Sequence, residues 1–109
     1  IMTKPACRSF DLSKWVLLVP ESWTGHARGV LALKVDLKET GTVIITSDAV
    51  YCTENYEQER EPGVIYDTVV WRKSLKYLKK MAGESHAQVW FGHDREQFDT
   101  LVKAPGFYE

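Results

Sequence analysis

Cysteine is nearly missing from this chain: of 109 residues, only Cys7 and Cys52 carry thiols. Two widely separated thiols make neither a disulfide framework nor a CxxC metal knuckle. They favour a reducing interior, with the cytoplasm as the expected location. Long apolar runs are missing too. The longest, "WVLLV" at 15–19, falls far short of the ~20 residues a membrane span needs, and no charged n-region with an apolar h-region opens the chain. An excess of one charge is also lacking. Fourteen Lys and Arg stand against fifteen Asp and Glu, a net charge of −1, which gives no footing for nucleic acid or another bulk polyanion as a partner. There is no internal repeat and no low-complexity stretch. A start methionine is absent from position 1: Met2 follows Ile1, so either Met2 is the start behind a scar or the chain is cut from a longer one.

What is present is ordinary globular material, 44% hydrophobic and 27% charged, in a length that suits one domain or part of one. Four Trp, five Tyr and four Phe can fill a core, with little to spare at this size. Residues 1–14 are polar and irregular. "WVLLV" reads as a buried strand stopped by Pro20, and "ESWTGHARG" (21–29) as a loop with two glycines. In "VLALKVDL" (30–37), Leu31, Leu33, Val35 and Leu37 share one strand face while Lys34 and Asp36 share the other. "KETG" and then "TVIIT" (42–46) follow, so these two strands are expected to pair as an antiparallel hairpin.

The segment "SDAVYCTENYEQEREPG" (47–63) is acidic and without periodicity, a long connection. From Asp67 a helix is expected, with Trp71, Leu75, Leu78 and Ala82 on one stripe, Gly83 at its C-cap, and Arg72, Lys73, Lys76, Lys79 and Lys80 on a solvated face. "AQVWF" (87–91) reads as a short buried strand. Asp94 and Gln97 then make a D-x-x-Q capping box for a last short helix. The order strand, strand, strand, helix, strand, helix implies a sheet with helices packed on one face.

Three polar residues stand at comparable places. His26 lies in a glycine-bracketed loop before a strand, and Asp48 and His93 lie just past strand ends. Strand ends present side chains to a shared cleft, and imidazole with carboxylate is a ligand set suited to zinc. Singly, each has a plain structural explanation: a turn histidine, an Asx turn, a helix cap beside an incidental histidine.

Together, "WTGHARG", "ITSDAVYCTENYE" and "VWFGHD" resemble, in register, the C-terminal half of the metallo-β-lactamase fold in its acyl-homoserine lactone lactonase branch. The resemblance runs from about residue 15 to the end. It implies an α+β fold, the C-terminal half of an αββα sandwich, with residues 1–109 a partial domain. It also implies a bound pair of divalent ions, expected to be zinc, with His26 completing one site, Asp48 bridging both and His93 on the second. A hydroxide between the ions would attack a lactone carbonyl, and Tyr51 would stabilise the developing charge. Asp48 and Tyr51 are thus the catalytic candidates. His86 reads as a surface loop residue, and Cys52 as a packing residue rather than a nucleophile.

The chain also departs from the family. Thr24 and Arg28 replace prolines, Val30 replaces a second loop histidine and Ser47 replaces a glycine. The family's H-x-H-x-D-H string, source of four of the seven ligands, is absent. The implied partners are a small lactone or ester and a missing N-terminal half. The alternatives are a thioester or other ester hydrolase of the same superfamily, or a truncated, non-catalytic fragment.

Overall fold

Alternating strands and one long apolar stripe build a four-stranded sheet with a helix laid across it. The computed structural model describes residues 15–18, of which only the backbone is placed, 26–27 and 30–109. Expectations for 1–14, for Cys7 and for the loop 21–29 other than His26 and Ala27 lie outside the described residues. In chain order come β1 (Trp15–Leu18), β2 (Ala32–Leu37), β3 (Gly41–Ile45), a 3-10 turn (Ser47–Ala49), α1 (Thr53–Glu57), α2 (Thr68–Ser85), β4 (Gln88–Trp90) and α3 (Arg95–Thr100). Sheet order follows chain order, with β1–β2 and β2–β3 antiparallel and β3–β4 parallel. A parallel neighbour needs a long crossover, and α2 supplies it. No helix of the described residues is long and apolar enough to cross a membrane.

The expected hairpin forms, with Lys34 opposite Ile44 and Val35 opposite Val43. Its buried face is divided differently from the simple alternation. Ala32 and Ile44 point toward α2 and are fully covered, packed with Val50, Trp71, Leu75, Leu78 and Ala82. Val35 and Val43 are buried on the opposite face, while Leu31 is exposed. A sheet covered on both sides needs no single polar face, so alternation alone could not choose between them. On the second face the Tyr108 ring packs 4.7 Å from Trp90.

The α2 stripe is as expected: Trp71, Leu75, Leu78 and Ala82 are all buried. Each large member contributes on the order of 1.5–3 kcal/mol by leaving water. The Asp67 carboxylate caps the start, accepting the Val70 N–H at 3.0 Å. The C-cap moves. Gly83 remains helical, and the helix ends in a Schellman motif around His86, whose φ is 49°. There the Ala87 N–H reaches the Ala82 carbonyl at 2.9 Å and the His86 N–H reaches Gly83. His86 is therefore exposed, as expected, but as the left-handed end of a helix. On the basic face, Arg72 pairs with Glu61 and Lys79 with Glu59, which fits a solvated surface.

The acidic connection is also more ordered than its composition implied. It holds the 3-10 turn and the five-residue α1, both too short to show a period. The start of α1 is held from elsewhere in the fold, because the Thr53 N–H and hydroxyl both donate to Asp94 Oδ2, at 2.8 and 2.6 Å.

Candidate functional site

Strand β3 ends in a residue that has no freedom to leave. Thr46 is fully buried. Its N–H donates to the Trp90 carbonyl at 2.9 Å, and its hydroxyl lies 2.9 Å from the Val50 carbonyl and 3.2 Å from that of Trp90. Ser47 then takes φ 52°, and the 3-10 turn lifts Asp48 off the end of the sheet. The Trp71 indole N–H, reaching out of the core, donates to the Ala49 carbonyl at 2.8 Å and holds that turn from beneath.

Past β4, residues 92–93 zip onto the same segment. The His93 N–H donates to the Tyr51 carbonyl at 2.8 Å, and that of Gly92 to Val50 at 3.4 Å. Position 92 must be glycine for this approach, since a Cβ there would lie 2.5 Å from the Ser47 carbonyl oxygen. The two strand ends are thus locked side by side.

On that frame the residues singled out in the sequence meet. His93 Nε2 is 2.8 Å from Asp48 Oδ1. His26 Nε2 is 3.6 Å from Asp48 Oδ2. The Tyr51 hydroxyl is 3.1 Å from His26 Nδ1, and the Tyr51 ring stacks edge-on against His93 with centroids 4.7 Å apart. His26 is 16% exposed, Asp48 43% and His93 59%, so the cluster opens to solvent from the His93 side. There a groove is lined by Phe91, Gly92, Asp94, Arg95 and Phe98.

The donor set suits a divalent metal in kind, two imidazole nitrogens and a carboxylate. The detail of His26 fits as well. Its Nδ1 is 3.1 Å from the Val64 carbonyl, which can only accept, so the proton belongs on Nδ1. The other nitrogen, Nε2, then turns a lone pair toward a carboxylate oxygen unless a proton or a cation lies between them. A backbone carbonyl that orients a histidine in this way is the usual outer support of a metal ligand. Among the described residues, no group of three or more His, Cys, Asp or Glu is arranged to hold an ion by itself.

Partial burial, and second the charge of Asp48, raise the Tyr51 phenol above its ordinary pKa of 10.0. Near neutral pH it is therefore a hydrogen-bond donor.

Asp94 is a cap, as expected: its Oδ1 accepts the Gln97 N–H at 2.9 Å. The reciprocal half of the capping box is replaced. The Gln97 amide instead takes the Phe91 N–H and donates to the Val89 carbonyl, both at 2.8 Å, mimicking a further strand on the free edge of β4. Cys52 donates its thiol to Asn55 Oδ1 at 3.2 Å and is a free thiol. His86 lies apart from the cluster. Sequence reasoning missed Thr46, Val64 and the structural need for Gly92. Only the glycine of "FGHD" carried any signal.

No family model matches the chain. Individual proteins do. The chain is 41% identical over 88 residues to the N-acyl homoserine lactonase AiiB of Agrobacterium fabrum, an alignment covering 79% of the chain and 32% of that relative. It is 34% identical to the N-acyl homoserine lactonase AttM of Azorhizobium caulinodans, covering 78% and 32%. Among solved structures, an N-acyl homoserine lactone hydrolase with its product N-hexanoyl-L-homoserine at the catalytic metal centre superposes with a TM-score of 0.80. That match has 30% identity and covers 93% of this chain and 38% of that one. AidC, a dizinc quorum-quenching lactonase, superposes at 0.62 with 16% identity and supports the fold alone. The chain spans about a third of the length of the curated relatives it matches.

Proposed function

The chain belongs to the N-acyl homoserine lactonase branch of the metallo-β-lactamase fold, as a C-terminal part of that fold, and from that premise we propose that His26, Asp48 and His93 are its share of a two-cation lactonase centre. The cations are zinc by ligand type, and the complete protein hydrolyses lactones such as N-acyl homoserine lactones. One observation carries the reading: the two oxygens of Asp48 face two different histidines, at 2.8 and 3.6 Å, an arrangement open to a carboxylate that would serve two cations. Divalent cations, when bound, acidify water and polarise a carbonyl.

The chain's own residues do the remainder. Val64 holds His26 in one tautomer, and the locked strand ends hold Asp48 against His93. Tyr51, a protonated phenol near neutral pH, offers its O–H to the substrate oxygen on which charge develops. That tyrosine favours a lactonase over a thioester or other ester hydrolase. The alternative reading is a chain that retains three donors without the catalytic whole.

Elemental analysis separates these readings. In the complete protein, Asp48→Ala is expected to lose more metal than His26→Ala or His93→Ala, because one carboxylate would serve both cations. Unchanged stoichiometry in Asp48→Ala would end the bridging role, and a wild-type chain free of metal would favour the fragment. For catalysis, Tyr51→Phe in the complete protein should retain its metal and lose about 10–1000-fold in kcat, the scale of one lost transition-state donor. An equal kcat returns Tyr51 to a packing role.

A further inference from the structure

We propose that Thr46 is the positioning residue of this site: its hydroxyl sets the separation between the segment carrying Asp48 and the segment carrying His93. The side chain is wholly buried at the point where β3 ends. Three carbonyl oxygens converge on Oγ1: Val50 at 2.9 Å, Trp90 at 3.2 Å and Ser47 at 3.3 Å. Two of them belong to the loop that bears Asp48, and the third belongs to the strand that leads into His93.

A hydroxyl has one proton to donate. The shortest contact, to Val50, takes most of it, and the Trp90 and Ser47 carbonyls at 3.2 and 3.3 Å can share that proton only weakly. Among the described residues the Val50 carbonyl has one other hydrogen-bond donor, the long 3.4 Å contact from the Gly92 N–H. Without the Thr46 proton that buried oxygen is left poorly satisfied, and it can recover a partner only if the 47–51 loop moves. Movement there loosens the seat of His93 as well as that of Asp48, because the Gly92 and His93 amides are hung on Val50 and Tyr51. Thr46 touches neither histidine and no reacting group, so its action is entirely through these backbones.

The test compares Thr46→Val, which keeps shape and removes the hydroxyl, with Thr46→Ser, which keeps the hydroxyl. Native-state hydrogen exchange is followed in the full chain without metal. Thr46→Val is expected to lose about tenfold of the protection at the Gly92 and His93 amides, the scale of one buried hydrogen bond, while amides of β2 and β3 keep theirs. Thr46→Ser is expected to restore the wild-type pattern. A loss spread evenly over the sheet, or no loss at all, overturns the proposal. So does a global collapse shared by Thr46→Val and Thr46→Ala, since Thr46 would then be a stability residue only.

A second readout rests on the two-cation reading: zinc alone is titrated into the three proteins. Affinity should fall about tenfold in Thr46→Val and be restored in Thr46→Ser. Equal affinity in all three overturns the positioning role. A wild-type chain that binds no zinc counts against the metal reading instead, and the exchange pattern still decides Thr46.

Discussion

Asp48 and Asp94 occupy like positions, each just past the end of a strand, and each uses both carboxylate oxygens. Their partners differ. Asp94 receives groups that donate in every protonation state, among them the Gln97 N–H on Oδ1 and the Thr53 N–H and hydroxyl on Oδ2. Those donors hold its carboxyl below the ordinary value of 3.8, the Gln97 N–H first and Thr53 next. Asp48 receives no backbone donor among the bonds described. It faces two imidazole nitrogens, His93 Nε2 within hydrogen-bonding distance of Oδ1 and His26 Nε2 farther from Oδ2, which donate or coordinate according to their protonation. The first arrangement ties two helices together. The second gathers groups that are all of metal-ligand type. What surrounds a carboxylate sets Asp94 apart from Asp48 where residue type and strand-end position do not.

Gly92 stands between the two regions, and its substitution should break both at once. In Gly92→Ala the new methyl meets the Ser47 carbonyl at 2.5 Å, and backbone on both sides cannot rotate away. A cost of about 3 kcal/mol is expected, the upper range of overpacking, read as a lower urea midpoint and accompanied by loss of metal. Near-wild-type stability would mean that the two strand ends are not rigidly locked.

Asp94→Ala should separate the regions. It is expected to cost about 1–2 kcal/mol, the scale of a lost N-cap, while leaving the metal content intact. Asp48→Ala should do the reverse. If Asp94→Ala strips metal as Asp48→Ala does, the contrast fails. The pH dependence follows from the lowered folded-state value. The contribution of Asp94 is present above the unfolded value near 3.8 and is lost as pH falls through the lower folded value. Acid unfolding of Asp94→Ala should therefore show less dependence on pH in that window than the wild type, measured by circular dichroism.

The smallest effect is expected at Ser47, which carries φ 52° immediately before Asp48. A side chain in that region is strained by roughly 1 kcal/mol, and Ser47→Gly should recover about that much as a raised melting temperature. An unchanged melting temperature would mean that the Asp48 turn stores no strain.

Much of this was legible because it is local. The stripe Trp71, Leu75, Leu78 and Ala82 is a helical period, and the caps at Asp67 and Asp94 are bonds across three residues. The hairpin follows from two β-rich runs around a short turn. Where two local signals competed, the weaker reading could win. Gly83 has the usual residue type for a helix end, yet the Schellman bonds close around His86, because Ala87 must turn directly into β4.

The sequence by itself determined the order and type of the main elements, the α+β class and the three side chains that gather at the strand ends. Tertiary structure alone decided how they are held. The cap of α1 comes from Asp94, 41 residues away. The tautomer of His26 is set by Val64, 38 residues away, and the Gln97 amide leaves its own helix to complete the edge of β4. A bond within one helical turn is fixed by spacing along the chain. A bond between distant segments depends on which backbones the packed sheet brings within about 3 Å of each other, and no local pattern records that.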